Sequence, residues 1–143
     1  MDGYGKRVLV VVDDQQTRLS LTRLLALADY NVYLASDGLH ALQEVKKRRF
    51  DVIVTEYQLP RMSGREFLLL NQVVRPEIPV ILLSDGTDDC GDAMVELGAF
   101  ACVRRPYENH RLLNVLRSAT QRLAWDHMMV RNKLVEVPYE RRN

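Results

Sequence analysis

Between Arg7 and Val12 the chain reads RVLVVV, an almost unbroken aliphatic and β-branched run that stops abruptly at Asp13-Asp14. Such a run suits a strand covered on both faces, because a strand with one wet face alternates apolar and polar residues. From Gln15 to Ala28 the apolar positions Leu19, Leu21, Leu24, Leu25 and Ala28 recur at helical spacing, so an amphipathic helix follows. The alternation repeats, with Asn31–Ala35 as strand, Gly38–Arg48 as helix and Asp51–Thr55 (DVIVT) as another strand buried on both faces. Gly64–Val74 then predicts a third helix, Pro79–Leu83 a fourth strand and Cys90–Leu97 a fourth helix stopped by Gly98. Ala101–Arg104 reads as a short fifth strand, and a last helix begins near Tyr107, just after Pro106.

Five strands alternating with five helices, joined by right-handed crossovers, predict an α/β fold. The expected form is a flavodoxin-like, doubly wound, five-stranded parallel sheet of order 2-1-3-4-5 with helices on both faces. Ligands of such sheets bind beyond the carboxyl ends of the strands where the strand order reverses, here between the first and third strands. The residues at those ends are Asp13 and Asp14, Glu56, Ser84 and Arg105. Carboxylates crowded on one rim repel each other unless a cation, a proton or a basic group intervenes. Asp13, Asp14 and Glu56 are therefore expected as hard oxygen ligands for Mg²⁺, with Arg105 as a partner for Glu56. A hydroxyl and a cation on the same rim suit a phosphoryl group. The alternative for the acidic pair is that it caps the helix that follows.

Composition narrows the field of functions. A chain of 143 residues, 47% hydrophobic, can bury one core, so one domain and a tail are expected. With 20 basic and 19 acidic residues the net charge is +1, which provides no global attraction for nucleic acid or anionic membrane. The basic run Lys46-Lys47-Arg48-Arg49 falls in the last turn of the second helix, where cations complement the helix dipole. Cys90 and Cys102 have neither C-x-x-C nor zinc-site spacing and are expected as buried free thiols. No signal pattern opens the chain and no apolar run approaches the ~20 residues of a membrane span, so a cytoplasmic protein is expected. His40, His110 and His127 are scattered, no G-x-S-x-G turn is present, and a G-x-G-x-x-G loop is missing. Hydrolase, metalloenzyme and nucleotide-binding readings are correspondingly weak.

Taken together, VVVDDQ with its acidic pair, the loop LPRMSG from Leu59 to Gly64, PVILLS ending in Ser84, Gly98-Ala99 and the RRPY after the fifth strand resemble the response-regulator receiver domain. The resemblance covers about residues 6 to 122, which sets the expected domain at 1–122 and a helical extension and tail at 123–143. It implies a two-component signalling module, Mg²⁺ on the acidic pair, and a phosphate-accepting aspartate after the third strand. Two positions depart from the family's pattern: Glu56 stands in place of that aspartate and Arg105 in place of its lysine. Asp85 follows Ser84 where the family keeps a small residue, although the same aspartate also suits a cap in the loop DGTDD. Cys102 falls where a switch aromatic would stand, with Phe100 two residues earlier as packing.

These departures make an atypical receiver the leading expectation, working without phosphorylation, not as an enzyme, and regulating a protein partner or fused output domain by contact. The glutamate then either imitates a phosphorylated aspartate by holding Ser84 in an active-like arrangement, or marks a dead site kept for its docking surface. The alternative is a working Mg²⁺-dependent acceptor that takes a phosphoryl group from a histidine kinase in a phosphorelay. A small-ligand sensor using the strand-end crevice is a third. The implied docking face carries Arg104, Tyr107, His110 and Arg111. Beyond the fold, Leu116, Leu123, Val130 and Val137 recur every seven residues beside Leu112 and Ala119, interrupted by Asp126 and Lys133. That seam suits a linker helix, or packing against a second copy as a homodimer, better than a sustained coiled coil.

Overall fold

The aliphatic run after Lys6 forms β1 (Arg7–Val11), and Val8, Leu9, Val10 and Val11 have no solvent exposure at all. They are covered because β1 lies inside the sheet, paired in parallel with β2 (Asn31–Ala35) on one side and β3 (Val52–Glu56) on the other. β4 (Val80–Ser84) pairs with β3, and β5 (Ala101–Arg104) with β4, giving the parallel order β2-β1-β3-β4-β5. The flavodoxin-like order expected from the alternation is present. The computed structural model describes residues 4–131, with side chains through residue 121.

Successive strand residues point to opposite faces, which divides the apolar interior in two. Val8 and Val10 join Leu21 and Leu25 of α1 (Gln15–Leu27) and Leu112 and Leu116 of α5 (Asn109–Arg131). Leu9 and Val11 join Val45 of α2 (Gly38–Lys47), Phe67 of α3 (Gly64–Val74) and Met94 of α4 (Asp92–Glu96). α3 begins where the sequence places it because Ser63 and Glu66 form a capping box. The Ser63 hydroxyl accepts from the Glu66 amide at 3.1 Å, and the Glu66 carboxylate accepts from the Ser63 amide at 3.0 Å.

Two expectations change on contact with the structure. The fourth helix is shorter than Cys90–Leu97, because Gly91 sits at φ 136°, a region foreign to right-handed helix, and α4 starts only at Asp92. Cys90 and Cys102 are not free thiols but a disulfide, with Cα atoms 6.4 Å apart, inside the range such a bond spans. α5 continues to Arg131, into the stretch expected as a helical extension. The side chains of Leu123, Asp126 and Val130, and the whole of 132–143 with Lys133 and Val137, lie outside what is described. No helix among the described residues is long and apolar enough to cross a membrane.

α2 is started by a buried cap. The Asp37 carboxylate accepts from the His40 amide at 2.8 Å and from Arg61 Nη2 at 2.5 Å, with Arg61 in a left-handed conformation at φ 67°. The His40 amide, with help from the Arg61 guanidinium, holds the Asp37 carboxyl below its ordinary value, while burial opposes them. Because the folded value lies below the unfolded one of about 3.9, the ionised cap stabilises the fold fully above that pH. That contribution is lost as pH falls through the folded value. Asp37→Ala should thus cost about 1 kcal/mol at pH 7 and less under acid conditions. Urea titrations of both proteins at neutral and acid pH check this; a gap that fails to narrow would refute the assignment.

Candidate functional site

The carboxyl ends of β1, β3 and β4, with the segment after β5, bring Asp13, Asp14, Glu56, Ser84 and Arg105 to one rim. Glu56 and Ser84 are the last residues of their strands rather than the first beyond them. Parallel pairing aligns Glu56 with Leu83, and the Tyr57 amide donates to the Leu83 carbonyl at 2.8 Å, so the glutamate's backbone is fixed on both flanks. Arg105 is fixed in turn by its amide, which donates to the Ser84 carbonyl at 2.8 Å.

Across this gap the Arg105 guanidinium engages the Glu56 carboxylate as a fork, with Nη1 donating to Oε1 at 3.0 Å and Nη2 to Oε2 at 2.5 Å. Both side chains are partly buried. The bond to Glu56 pushes the Arg105 guanidinium above its ordinary value, against a contrary effect of burial. Both carboxylate oxygens of Glu56 are therefore turned toward one cation, an arrangement that arginine achieves and lysine does not.

The acidic pair does not converge on Glu56. Asp14 caps α1, its Oδ2 accepting from the Thr17 amide and the Thr17 hydroxyl, each at 2.8 Å. Those two bonds hold its carboxyl below the usual range. This is the capping alternative weighed for the acidic pair, with both bonds on Oδ2. Asp13 is exposed, and its carbonyl accepts from Arg18 Nη2 at 3.2 Å. Among the described residues no group of three or more acidic, histidine or cysteine side chains is placed to hold a metal ion. The donor set expected from the sequence therefore does not fit a three-carboxylate Mg²⁺ site.

Ser84 is also directed elsewhere. Its hydroxyl donates to Asp88 Oδ1 at 2.7 Å and accepts from the Gly86 amide at 3.0 Å, so Glu56 does not hold it in the arrangement expected of an aspartyl-phosphate mimic. Asp85 closes a turn by accepting from the Thr87 amide at 2.9 Å and the Thr87 hydroxyl at 2.8 Å, and these bonds lower its pKa. That is the local role weighed for it in the sequence. Two residues that the sequence reading passed over complete the loop after β4: Asp88, which also accepts from the Cys90 amide at 3.1 Å, and Asp89, which accepts from the Tyr57 hydroxyl. Burial, followed by the bond to Asp89, pushes the Tyr57 hydroxyl up to about 12, so it remains a donor at any physiological pH. The only available signal was the density of aspartates in DGTDD, which does not say which strand-end group each one meets.

The loop between β3 and α3 closes against the site through Gly64. Its amide donates to the Tyr57 carbonyl at 2.7 Å, and a Cβ there would overlap the Glu56 carbonyl oxygen and lie 2.8 Å from Tyr57 Cα. Only glycine lets α3 start so near the residue at the acceptor position. Residues 8–117 match the response regulator receiver domain family. The chain belongs to that family.

As a receiver domain it has relatives among curated proteins and solved structures. The response regulator MprA of Mycobacterium sp. strain KMS is 31% identical over 122 residues, covering 84% of this chain and 53% of the relative. MprA of Mycobacterium leprae is 31% identical over 118 residues, covering 81% of this chain and 51% of the relative. The chain thus spans about half the length of the curated relatives it matches. Among solved structures, a receiver domain protein from Clostridium thermocellum superposes with a TM-score of 0.80 at 24% identity, covering 84% of this chain and 98% of that one. The receiver domain of a sensor histidine kinase from Pseudomonas aeruginosa, with a magnesium ion coordinated in its active-site cleft, gives 0.75 at 21%, covering 82% of this chain and 98% of that one. At these identities the structural likeness speaks for the fold alone.

The docking residues implied by the resemblance also meet. Arg104, Tyr107, His110 and Arg111 line a shallow cleft of about 750 Å³ together with Pro106 and Val115, on the side of the domain formed by β5 and α5.

Proposed function

We propose that this receiver domain works without phosphorylation and regulates a partner protein or output domain by surface contact, not as an enzyme. The observation that carries the reading is the Arg105 fork on Glu56. A carboxylate that attacks phosphorus must present an oxygen lone pair in line with the leaving group, and both Glu56 oxygens already accept hydrogen bonds from one cation. The extra methylene of glutamate also displaces the oxygens by ~1.5 Å from where an aspartate would hold them, and errors of about 1 Å cost on the order of a hundredfold in rate. Asp14 is engaged at the start of α1, and no step of this reading passes through Mg²⁺.

The state of the rim is then fixed by the sequence rather than set by a kinase. Of the two roles open to Glu56, the bond from Ser84 to Asp88 favours the closed site over the phosphate mimic. The cleft lined by Arg104, Tyr107 and Arg111 offers a cationic and aromatic face suited to a protein partner, while a net charge of +1 gives no support to nucleic-acid binding.

Incubation with acetyl phosphate and Mg²⁺ followed by intact-mass measurement should leave the mass unchanged. A phosphoryl adduct that disappears in Glu56→Ala would overturn the proposal and install the other reading, a Mg²⁺-dependent acceptor served by a histidine kinase.

A further inference from the structure

We infer that Cys90 and Cys102 form a reversible thiol–disulfide site through which small disulfides modify this domain and set the freedom of the segment between β4 and α4. The inference stands apart from the state of Glu56, whose carboxylate is bonded to Arg105 and to neither cysteine.

The two cysteines join parts of the fold that no backbone ladder connects. Cys102 lies in β5, and Cys90 ends the loop that leaves β4. Upstream the loop is already anchored by hydrogen bonds, from Ser84 and the Cys90 amide to Asp88 and from Tyr57 to Asp89. Downstream there is only Gly91, at φ 136° with open space around its Cα, and then α4, five residues long. So short a helix forms few internal bonds; buried Met94 and Val95 seat it on the core, while its entry at Gly91 depends on what fixes Cys90. The covalent bond to β5 supplies that fixation. Its removal leaves the anchors at Asp88 and Asp89 intact but releases the chain from Cys90 into α4.

The surroundings also favour exchange over permanent burial. Both cysteines are partly exposed, so a small reagent can reach them. The Gly91 amide donates to Cys102 Sγ at 3.1 Å, a bond that becomes stronger when the sulfur is a thiolate. Cys102 is therefore the attacking residue from the reduced state. Its thiolate displaces one thiolate from a disulfide of the glutathione type and forms a mixed disulfide. The Cys90 thiolate then attacks the Cys102 sulfur, closes the intramolecular bond and releases the second small thiol. Two electrons pass from the protein dithiol to the small disulfide, and the two protons leave with the released thiols.

The test equilibrates the full chain in buffers of reduced and oxidised glutathione, traps free thiols by alkylation and reads intact mass. Hydrogen exchange of the peptide 85–97 is followed in both states. A single transition between dithiol and disulfide within the glutathione range is expected, with exchange in 85–97 at least about tenfold faster in the reduced form. Cys90→Ser should accumulate a mixed disulfide with glutathione faster than Cys102→Ser does. The double variant, if it keeps the far-ultraviolet circular dichroism of the parent, should show the reduced-form exchange in every buffer. A pair that stays oxidised in the most reducing buffer, never closes in the most oxidising one, or closes without altering exchange in 85–97 would overturn the inference.

Discussion

Gly64→Ala should lower the free energy of unfolding by about 2–3 kcal/mol, among the largest losses available to a single methyl group in this domain. The added Cβ meets backbone, the Glu56 carbonyl oxygen and Tyr57 Cα, rather than the end of a flexible side chain. Relief requires moving the start of α3 away from the end of β3, which breaks the 2.7 Å bond from the Gly64 amide to the Tyr57 carbonyl. Urea denaturation gives the number directly. A loss below about 0.5 kcal/mol would mean that the loop yields easily, and that its glycine is not what holds the acceptor position against α3.

The second large effect concerns chemistry. Glu56→Asp combined with Arg105→Lys should raise labelling by acetyl phosphate and Mg²⁺ by about a hundredfold or more over the parent, read as adduct formed per minute by intact mass. Shortening the acid withdraws its oxygens from the fork, and lysine replaces a planar two-pronged donor with a point charge. Each single change should do less, because Glu56→Asp leaves Arg105 in place and Arg105→Lys leaves the oxygens displaced. A folded double variant that remains unlabelled would show that the obstacle lies elsewhere on the rim, with Asp14 at the α1 cap the first place to look.

How far the sequence foretold this molecule depends on what kind of interaction decides each feature. Strands such as RVLVVV and VILLS were legible because burial on both faces leaves a continuous apolar run. α3 was placed to the residue because its start is written locally, in Ser63 and Glu66. The Glu56–Arg105 pair was legible too, since the order of parallel strands brings the ends of β3 and β5 to the same rim. The disulfide was not. Whether Cys90 and Cys102 meet depends on the path of an irregular loop, and residue spacing along the chain carries no information about it. The same limit hid the destinations of Asp88 and Asp89. For Asp14 the two candidate roles used the same residue, and local geometry decided: Thr17 offers two donors within one turn, whereas a metal site needs carboxylates from separate strands.

The strand order has one further consequence. β2 and β5 are the outer strands, each with a row of backbone groups that no strand of the sheet satisfies, and such rows invite strands from other molecules. β5 is four residues long, ends in Arg104 and is followed at once by Arg105 and Pro106. Charge blunts that edge, and proline cannot donate to an added ladder. The arginine that occupies Glu56 thus also stands guard against aggregation, and trading Arg104 and Arg105 for aliphatic residues would turn a capped edge into a template for fibrils.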